Sequence, residues 1–210
     1  MTSDILNNLN PGIGDLHPYE PGRSIDEVVA EFGHSEVVKL ASNENPLGAS
    51  PKALAILSEL ESDMHLYPDG NGTKLKKEIA NHENVPFDKI IIGNGSNEIL
   101  ELAARAFLNP GTSSIASMHA FAVYKIVTQS AGASLIEVPT CNWGHDLKSF
   151  ADYLEENTRV IFIANPITSP TTLADFLYGC RYVFLRTCCA YKILLWTGFK
   201  PSLTSGRALP

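Results

Sequence analysis

From Lys89 onward, short apolar runs alternate with segments of helical period, and this alternation restricts the possible folds more than any other feature of the chain. Ile90-Ile91-Ile92 predicts a short buried strand, and Ser96 to Leu108 a helix with Ile99, Leu102, Ala103 and Phe107 facing inward. Ser113 to Ser117 predicts a strand and Phe121 to Ser130 a helix; Ser134 to Val138 a strand and Leu147 to Glu156 a helix. Arg159 to Ala164, RVIFIA, ends the series as a strand. Strands and helices that alternate over short connections predict an α/β fold, a mainly parallel sheet with helices on both faces.

Ahead of that region the chain is less regular. Pro11-Gly12, Gly14 and Pro18-Tyr19-Glu20-Pro21-Gly22 break residues 1 to 38 into an irregular arm, in which only Ile25 to Phe32 reads as helical. Ser50 is placed to cap a helix with Pro51 at its first position, and Leu54, Leu57 and Leu60 supply an apolar stripe. A further helix is expected to begin near Thr73 and to carry Leu75 and Ile79. After Thr172 the pattern is lost. LADFLYGCRYVFLRTCCAYKILLWTGFK is rich in aromatic and β-branched residues, holds neither period for long, and contains a single acidic residue, Asp175. A solvent-facing helix normally carries both charge signs, so this stretch is poorly adapted to a surface.

Charge narrows the classes of partner. With 16 Lys and Arg against 23 Asp and Glu the net charge is -7, and no basic run is present, which argues against nucleic acid. No apolar stretch is long enough to span a bilayer, and MTSDILNNLN lacks the layout of a signal peptide, so the cytoplasm is the expected compartment. Cys141, Cys180, Cys188 and Cys189 lack zinc-ligand spacing and read as reduced thiols. The six histidines are scattered, so no metal site is expected. Ser113-Ser114 and Ser117 with His119 have no acid placed to complete a triad.

GNGSNE, Gly93 to Glu98, joins a predicted strand to a predicted helix. Glycines there allow a tight turn, and the unbonded N–H groups of a helix's first turn, aided by its dipole, suit a phosphate. The spacing matches neither a dinucleotide fingerprint nor a Walker loop. Taken alone, it reads better as a glycine turn ending in a Ser96 cap.

The context of that turn resembles histidinol-phosphate aminotransferases, a branch of the fold type I pyridoxal-phosphate enzymes. The resemblance rests on Tyr19-Glu20-Pro21-Gly22, KLASNENPLG (Lys39 to Gly48) and Tyr67-Pro68-Asp69-Gly70. It continues through GNGSNEILELAARAFLNPG (Gly93 to Gly111), His119 to Tyr124 and Ala164-Asn165-Pro166. It implies that Gly95, Ser96 and Asn97 bond the phosphate of pyridoxal 5'-phosphate and that Phe121 stacks on its ring. Tyr67 would reach the phosphate of a neighbouring copy in a homodimer, and Tyr19 and Asn43 would lie near a small-molecule substrate. Each has a plainer reading from the residues themselves. Phe121 could be core beside Tyr124, Tyr67 could anchor a turn, and Asn43 and Asn45 could close Asx turns.

Later segments depart from the family's pattern. Where it has Asn-Pro-Asn-Asn-Pro-Thr-Gly, this chain reads Asn165-Pro166-Ile167-Thr168-Ser169-Pro170-Thr171-Thr172, which puts Ser169 at the asparagine that bonds the cofactor's phenolic oxygen. No Asp-Glu-Ala-Tyr follows, so the aspartate that keeps the ring an electron sink has no counterpart. The Schiff-base motif survives as Arg186-Thr187-Cys188-Cys189-Ala190-Tyr191-Lys192, with the lysine after the serine position skipped and Lys192 displaced. The expected organisation is an arm over 1-48, a partial cofactor-binding domain over 49-172, and an aberrant tail over 173-210, with the family's small C-terminal domain missing. A gene that had lost a central piece and its reading frame would produce this asymmetry. The expected activity is amino transfer between histidinol phosphate and 2-oxoglutarate in histidine synthesis, in a chain that is catalytically incomplete. The alternatives are a related aminotransferase of different substrate range, or an inactive remnant or non-catalytic partner of a full-length subunit.

Overall fold

The computed structural model describes residues 9–19, 22–34, 36–40, 44–45, 47–60, 64–142, 144–165, 182–186 and 192–196; for Ser58, Asn165 and the last two stretches the description is of the backbone. The chain divides into two compact units, Tyr19–Ile92 and a second made of Met1–Pro18 with Gly93–Pro210.

In the first unit, helix α1 (Ile25–Phe32) begins with a capping box. Ser24 Oγ accepts from the Glu27 amide at 3.2 Å while the Glu27 carboxylate accepts from the Ser24 amide at 2.8 Å. It ends at Gly33, whose φ of 69° is the left-handed cap that glycine adopts without strain. Helix α2 (Pro51–Glu59) starts at the expected proline, but the Ser50 hydroxyl makes no capping bond. Leu54, Leu57 and Leu60 keep helical spacing and are all exposed. Helix α3 (Thr73–Glu83) is capped at its end by Asn84 in the left-handed region, and a 3-10 turn follows at Phe87–Lys89. The strand expected at Ile90-Ile91-Ile92 does not form. Among the described residues no strand pairs with it, and Ile91 is 65% exposed. Three β-branched residues cannot hold a strand without a ladder partner.

The second unit holds the predicted sheet. Its elements are α4 (Ser96–Phe107), β1 (Ser113–Ser117), α5 (Val123–Ser130), β2 (Ser134–Val138), α6 (Leu147–Asp152) and β3 (Thr158–Ile161). The three strands are parallel in the order β2-β1-β3, with Ser113 opposite Ser134 and Ile115 opposite Ile161. Side chains alternate across the sheet with period two. Ala116, Val160, Phe162 and Ala164 pack with Leu100, Ala103 and Ala104 of α4 and Val123, Tyr124 and Val127 of α5. On the other face Ile115, Val138, Ile161 and Ile163 pack with Leu147 and Phe150 of α6. Helices cover both faces, as expected for buried parallel strands.

Four sequence expectations are corrected here. The buried stripe of α4 runs through Ile99, Leu100, Ala103 and Ala104, and Leu102 is 48% exposed, because an i, i+1, i+4, i+5 face turned to the sheet leaves the residue two before Ala104 off that face. The α5 helix starts at Val123 and leaves Phe121 outside it, while α6 stops at Asp152, where Tyr153 turns the chain toward β3. RVIFIA is divided. Its ladder with β1 ends at Ile161, and β4 (Ala164–Asn165) joins an antiparallel sheet of order β4-β6-β5, with β5 at Tyr182–Arg186 and β6 at Lys192–Trp196.

Buried polar groups of the parallel sheet are satisfied by one another and by the residues packed on it. Ser114 Oγ lies 2.7 Å from Thr128 Oγ1, which in turn donates to the Tyr124 carbonyl at 2.7 Å, and Ser113 Oγ lies 2.9 Å from Thr158 Oγ1. These hydroxyls explain why a strand as polar as SSIAS can be fully buried.

Candidate functional site

The turn before α4 is built by its glycines. Gly95 has φ 82° and ψ 176°, a conformation reserved in practice for glycine. A Cβ there would meet no atom within 4 Å, so the backbone angle and not crowding demands the residue. At Gly93 the reason is the opposite, since a Cβ would lie 2.7 Å from Ile99 Cδ1. The Asn94 amide donates to the Glu98 carboxylate, and the Gly95 amide to the Gly93 carbonyl at 2.9 Å, which closes the loop on itself.

No side chain caps α4. Among the described residues the first-turn amides of Ser96 and Asn97 therefore have no intrahelical or side-chain acceptor, beside an open face at Gly95, at the positive end of a 12-residue helix. Of the predicted site residues, Gly95, Ser96 and Asn97 are brought together in this way.

Phe121 lies two residues ahead of α5, 38% exposed, with its ring edge-on to Tyr124 at 6.0 Å and 86°. Its helical-stripe reading is thus set aside, and an exposed aromatic face is left in a turn that follows β1. In the first unit Tyr19 is half exposed and Tyr67 fully exposed. Asn43 and Ser169 lie outside the described residues. Lys192 opens β6.

The turn after Tyr67 is anchored by Asp69 rather than by the tyrosine. Its carboxylate accepts from the Asn71 and Thr73 amides at 3.0 and 2.8 Å, ahead of α3. A bond from the Thr73 side chain, then those from the Thr73 and Asn71 amides, hold its carboxyl well below the usual value of 3.8, at about 2. A depressed carboxyl stabilises the folded form above its unfolded pKa, and that contribution is lost as pH falls through the folded value. Acid unfolding of the wild type should therefore show a component between 3.8 and about 2 that Asp69→Asn lacks, measured by circular dichroism. Identical curves would show that the cap is absent in solution. Asn45 is an Asx-turn residue as its type suggested, with its Oδ1 accepting from the Leu47 amide at 3.0 Å.

One buried pair was invisible to sequence reasoning. Ser117 Oγ, at the end of β1, lies 2.5 Å from His145 Nδ1, and His145 Nε2 lies 2.9 Å from the Ala164 carbonyl. The histidine sits 28 residues from its serine, and no local spacing announces the contact. Proximity in sequence sets Ser117 beside His119, but the histidine it bonds is His145.

The sequence pattern of the family described as aminotransferase class I and II matches residues 35–173. The chain belongs to that family. Among its class I and II relatives, histidinol-phosphate aminotransferase 2 of Pseudomonas fluorescens is 51% identical over 173 residues, 81% of this chain and 46% of that protein. The enzyme of the same name from Nitrosospira multiformis is 50% identical over 160 residues, 75% of this chain and 41% of that protein. The chain thus spans about half the length of the curated relatives it matches. In fold it is similar to the histidinol-phosphate aminotransferase of Sinorhizobium meliloti, solved with pyridoxal-5'-phosphate. The TM-score is 0.67 at 21% identity, over 80% of this chain and 47% of that one. The aspartate aminotransferase of Thermotoga maritima follows with a TM-score of 0.55 at 21% identity, over 64% of this chain and 39% of that one. These likenesses fix the fold as that of the front of a fold type I aminotransferase. Among the described residues no helix is long and apolar enough to cross a membrane.

Proposed function

We propose that this chain carries the phosphate-binding portion of a pyridoxal-phosphate-dependent histidinol-phosphate aminotransferase, and that Lys192 does not serve as its Schiff-base lysine. The observation that supports it best is the uncapped start of α4 behind Gly95, within a stretch about half identical to curated enzymes of that name. The residues present fit the cofactor's phosphate, because an anion needs only the first-turn amides, the Ser96 hydroxyl and the helix dipole.

In this reading Gly95, Ser96 and Asn97 hold the phosphate. Phe121 offers a flat apolar face to the pyridine ring, and Ser169 stands near the phenolic oxygen. Tyr67, fully exposed, belongs to the neighbouring copy's phosphate site in a homodimer, and Tyr19 and Asn43 border the substrate. When bound, pyridoxal phosphate supplies an electron sink for moving the amino group from histidinol phosphate to 2-oxoglutarate. What these residues contribute is binding and orientation. A base at the substrate carbon is a different matter: Ala190 follows Cys189 where the family has its lysine, and Lys192 is displaced. The arm over 1-48, a partial cofactor domain over 49-172 and an aberrant tail over 173-210 complete the proposed organisation, in the cytoplasm and without nucleic-acid or membrane partners. The exposure of Tyr67 favours one second reading, a non-catalytic partner that docks on a full-length subunit.

Titrating pyridoxal phosphate while following backbone amide resonances tests the site. Weak, saturable shifts are expected at Gly95, Ser96 and Asn97, and Ser96→Ala should weaken binding about tenfold, the size of one hydrogen bond to a charged group. Gly95→Ala forces φ out of its region at a cost of about 1–3 kcal/mol and should abolish the shifts. Shifts confined to other residues would overturn the assignment.

A further inference from the structure

The backbone ladder between β1 and β3 stops early. Its last bonds are those around Ile115, Ile161 and the Phe162 amide, which donates to the Ile115 carbonyl at 2.9 Å. Beyond it two segments leave the carboxyl ends of adjacent strands. One turns at Ser117, with the Ala120 amide donating to the Ser117 carbonyl at 3.0 Å, and reaches Phe121. The other continues past Phe162 and Ile163 into β4 at Ala164–Asn165. His145 is the side chain that bridges them where the ladder no longer does, at 2.5 Å to Ser117 Oγ and 2.9 Å to the Ala164 oxygen.

The partners dictate the protonation of the ring. A carbonyl can only accept, so Nε2 carries a hydrogen and donates to Ala164. In the neutral ring Nδ1 is then an acceptor, and the Ser117 hydroxyl donates to it. Both residues are buried, Ser117 at 4% and His145 at 9% exposure, and Phe150 packs edge-on against the imidazole at 6.3 Å. Burial pushes the imidazolium down from its ordinary pKa, opposed by the Ala164 carbonyl. The neighbouring Asp146 carboxylate is engaged elsewhere, accepting from the Ser149 hydroxyl and amide at 2.7 and 3.2 Å. One rigid ring is thus held in one tautomer between the two departing segments.

We propose that His145 is a positioning residue for the cofactor ring, fixing the spacing between the segment that carries Phe121 and the strand end at Ala164. The inference rests on the phosphate-site reading above but concerns a different part of the ligand. Phosphate held by the α4 amides does not need His145; a pyridine ring laid against Phe121 does.

Two ligands separate these parts. Wild-type chain is titrated with pyridoxal phosphate and with inorganic phosphate, beside Ser96→Ala, Ser117→Ala, His145→Gln and His145→Asn. Gln keeps a donor near the Nε2 position and Asn an acceptor near Nδ1, but neither keeps both. Each His145 variant is expected to lose about five- to tenfold in pyridoxal phosphate affinity, the size of one lost contact, with phosphate affinity unchanged. Ser96→Ala should weaken both ligands. Equal losses for both ligands in the His145 variants, or no loss for either, would reduce His145 to a structural role and overturn the proposal. Failure of the wild type to bind either ligand would remove the phosphate reading and this inference with it. If the His145 variants do not fold, Ser117→Ala and the imidazole nitrogen resonances of the wild type decide. A neutral Nε2–H ring is expected, and an Nδ1–H tautomer or a doubly protonated ring at neutral pH would overturn the proposal without any ligand.

Discussion

A coupled assay of the purified chain with histidinol phosphate, 2-oxoglutarate and added pyridoxal phosphate is expected to record no turnover above that of the cofactor free in solution. The family's lysine is a covalent seat and a proton shuttle at once, so its loss removes essential steps rather than slowing one. In the proposed reading the lysine position is passed over between Cys189 and Ala190, and the 210 residues contain no Asp-Glu-Ala-Tyr to supply the aspartate that balances the pyridinium. Lys192 begins strand β6, paired with Asn165 and Arg186 in an antiparallel sheet. Turnover that persists through purification and vanishes in Lys192→Ala would show that this lysine had taken over the role.

Phe162→Ala should be the most damaging single substitution to the second unit, at about 3–5 kcal/mol. Phe162 is fully buried between the sheet and α4 and α5, stacked on Tyr124 with ring centroids 4.7 Å apart and planes 6° from parallel. Its removal deletes apolar area, an aromatic pair and the floor beneath the start of α5. Domains of this size are stable by only about 5–15 kcal/mol, so the variant should lose most of its margin. Urea titration followed by tryptophan fluorescence and circular dichroism measures it, with Phe162→Leu as a milder companion. A loss below about 1 kcal/mol would mean that the side chain has room to be replaced, contrary to its packing.

Local chemistry made much of this fold legible from the residues. Ser113–Ser117 and Ser134–Val138 are strands over the predicted ranges, and Ile25–Phe32 is a helix over its own. Each owes its form to a period, a cap or a flanking breaker that lies within a few residues. The glycine turn before α4 was legible for the same reason, although its N-cap is Gly95 and Ser96 is already the first helical residue.

What failed depended on partners far along the chain. Ile90-Ile91-Ile92 has the composition of a strand, but a strand is made by its neighbours, and its residues cannot say whether a ladder will be offered. Arg159 to Ala164 reads as one strand, yet β1 bonds only its first part and the antiparallel sheet takes its last residue. The bridge from Ser117 through His145 to Ala164 joins residues from three parts of the sequence, and only the folded sheet brings the two strand ends within reach of one imidazole. The sequence by itself determined the periodicity, the turns and the family, because these are written in neighbouring residues. Tertiary structure decided which strands paired, which face of α4 was buried and which polar groups met, because those depend on long-range packing that no local pattern encodes.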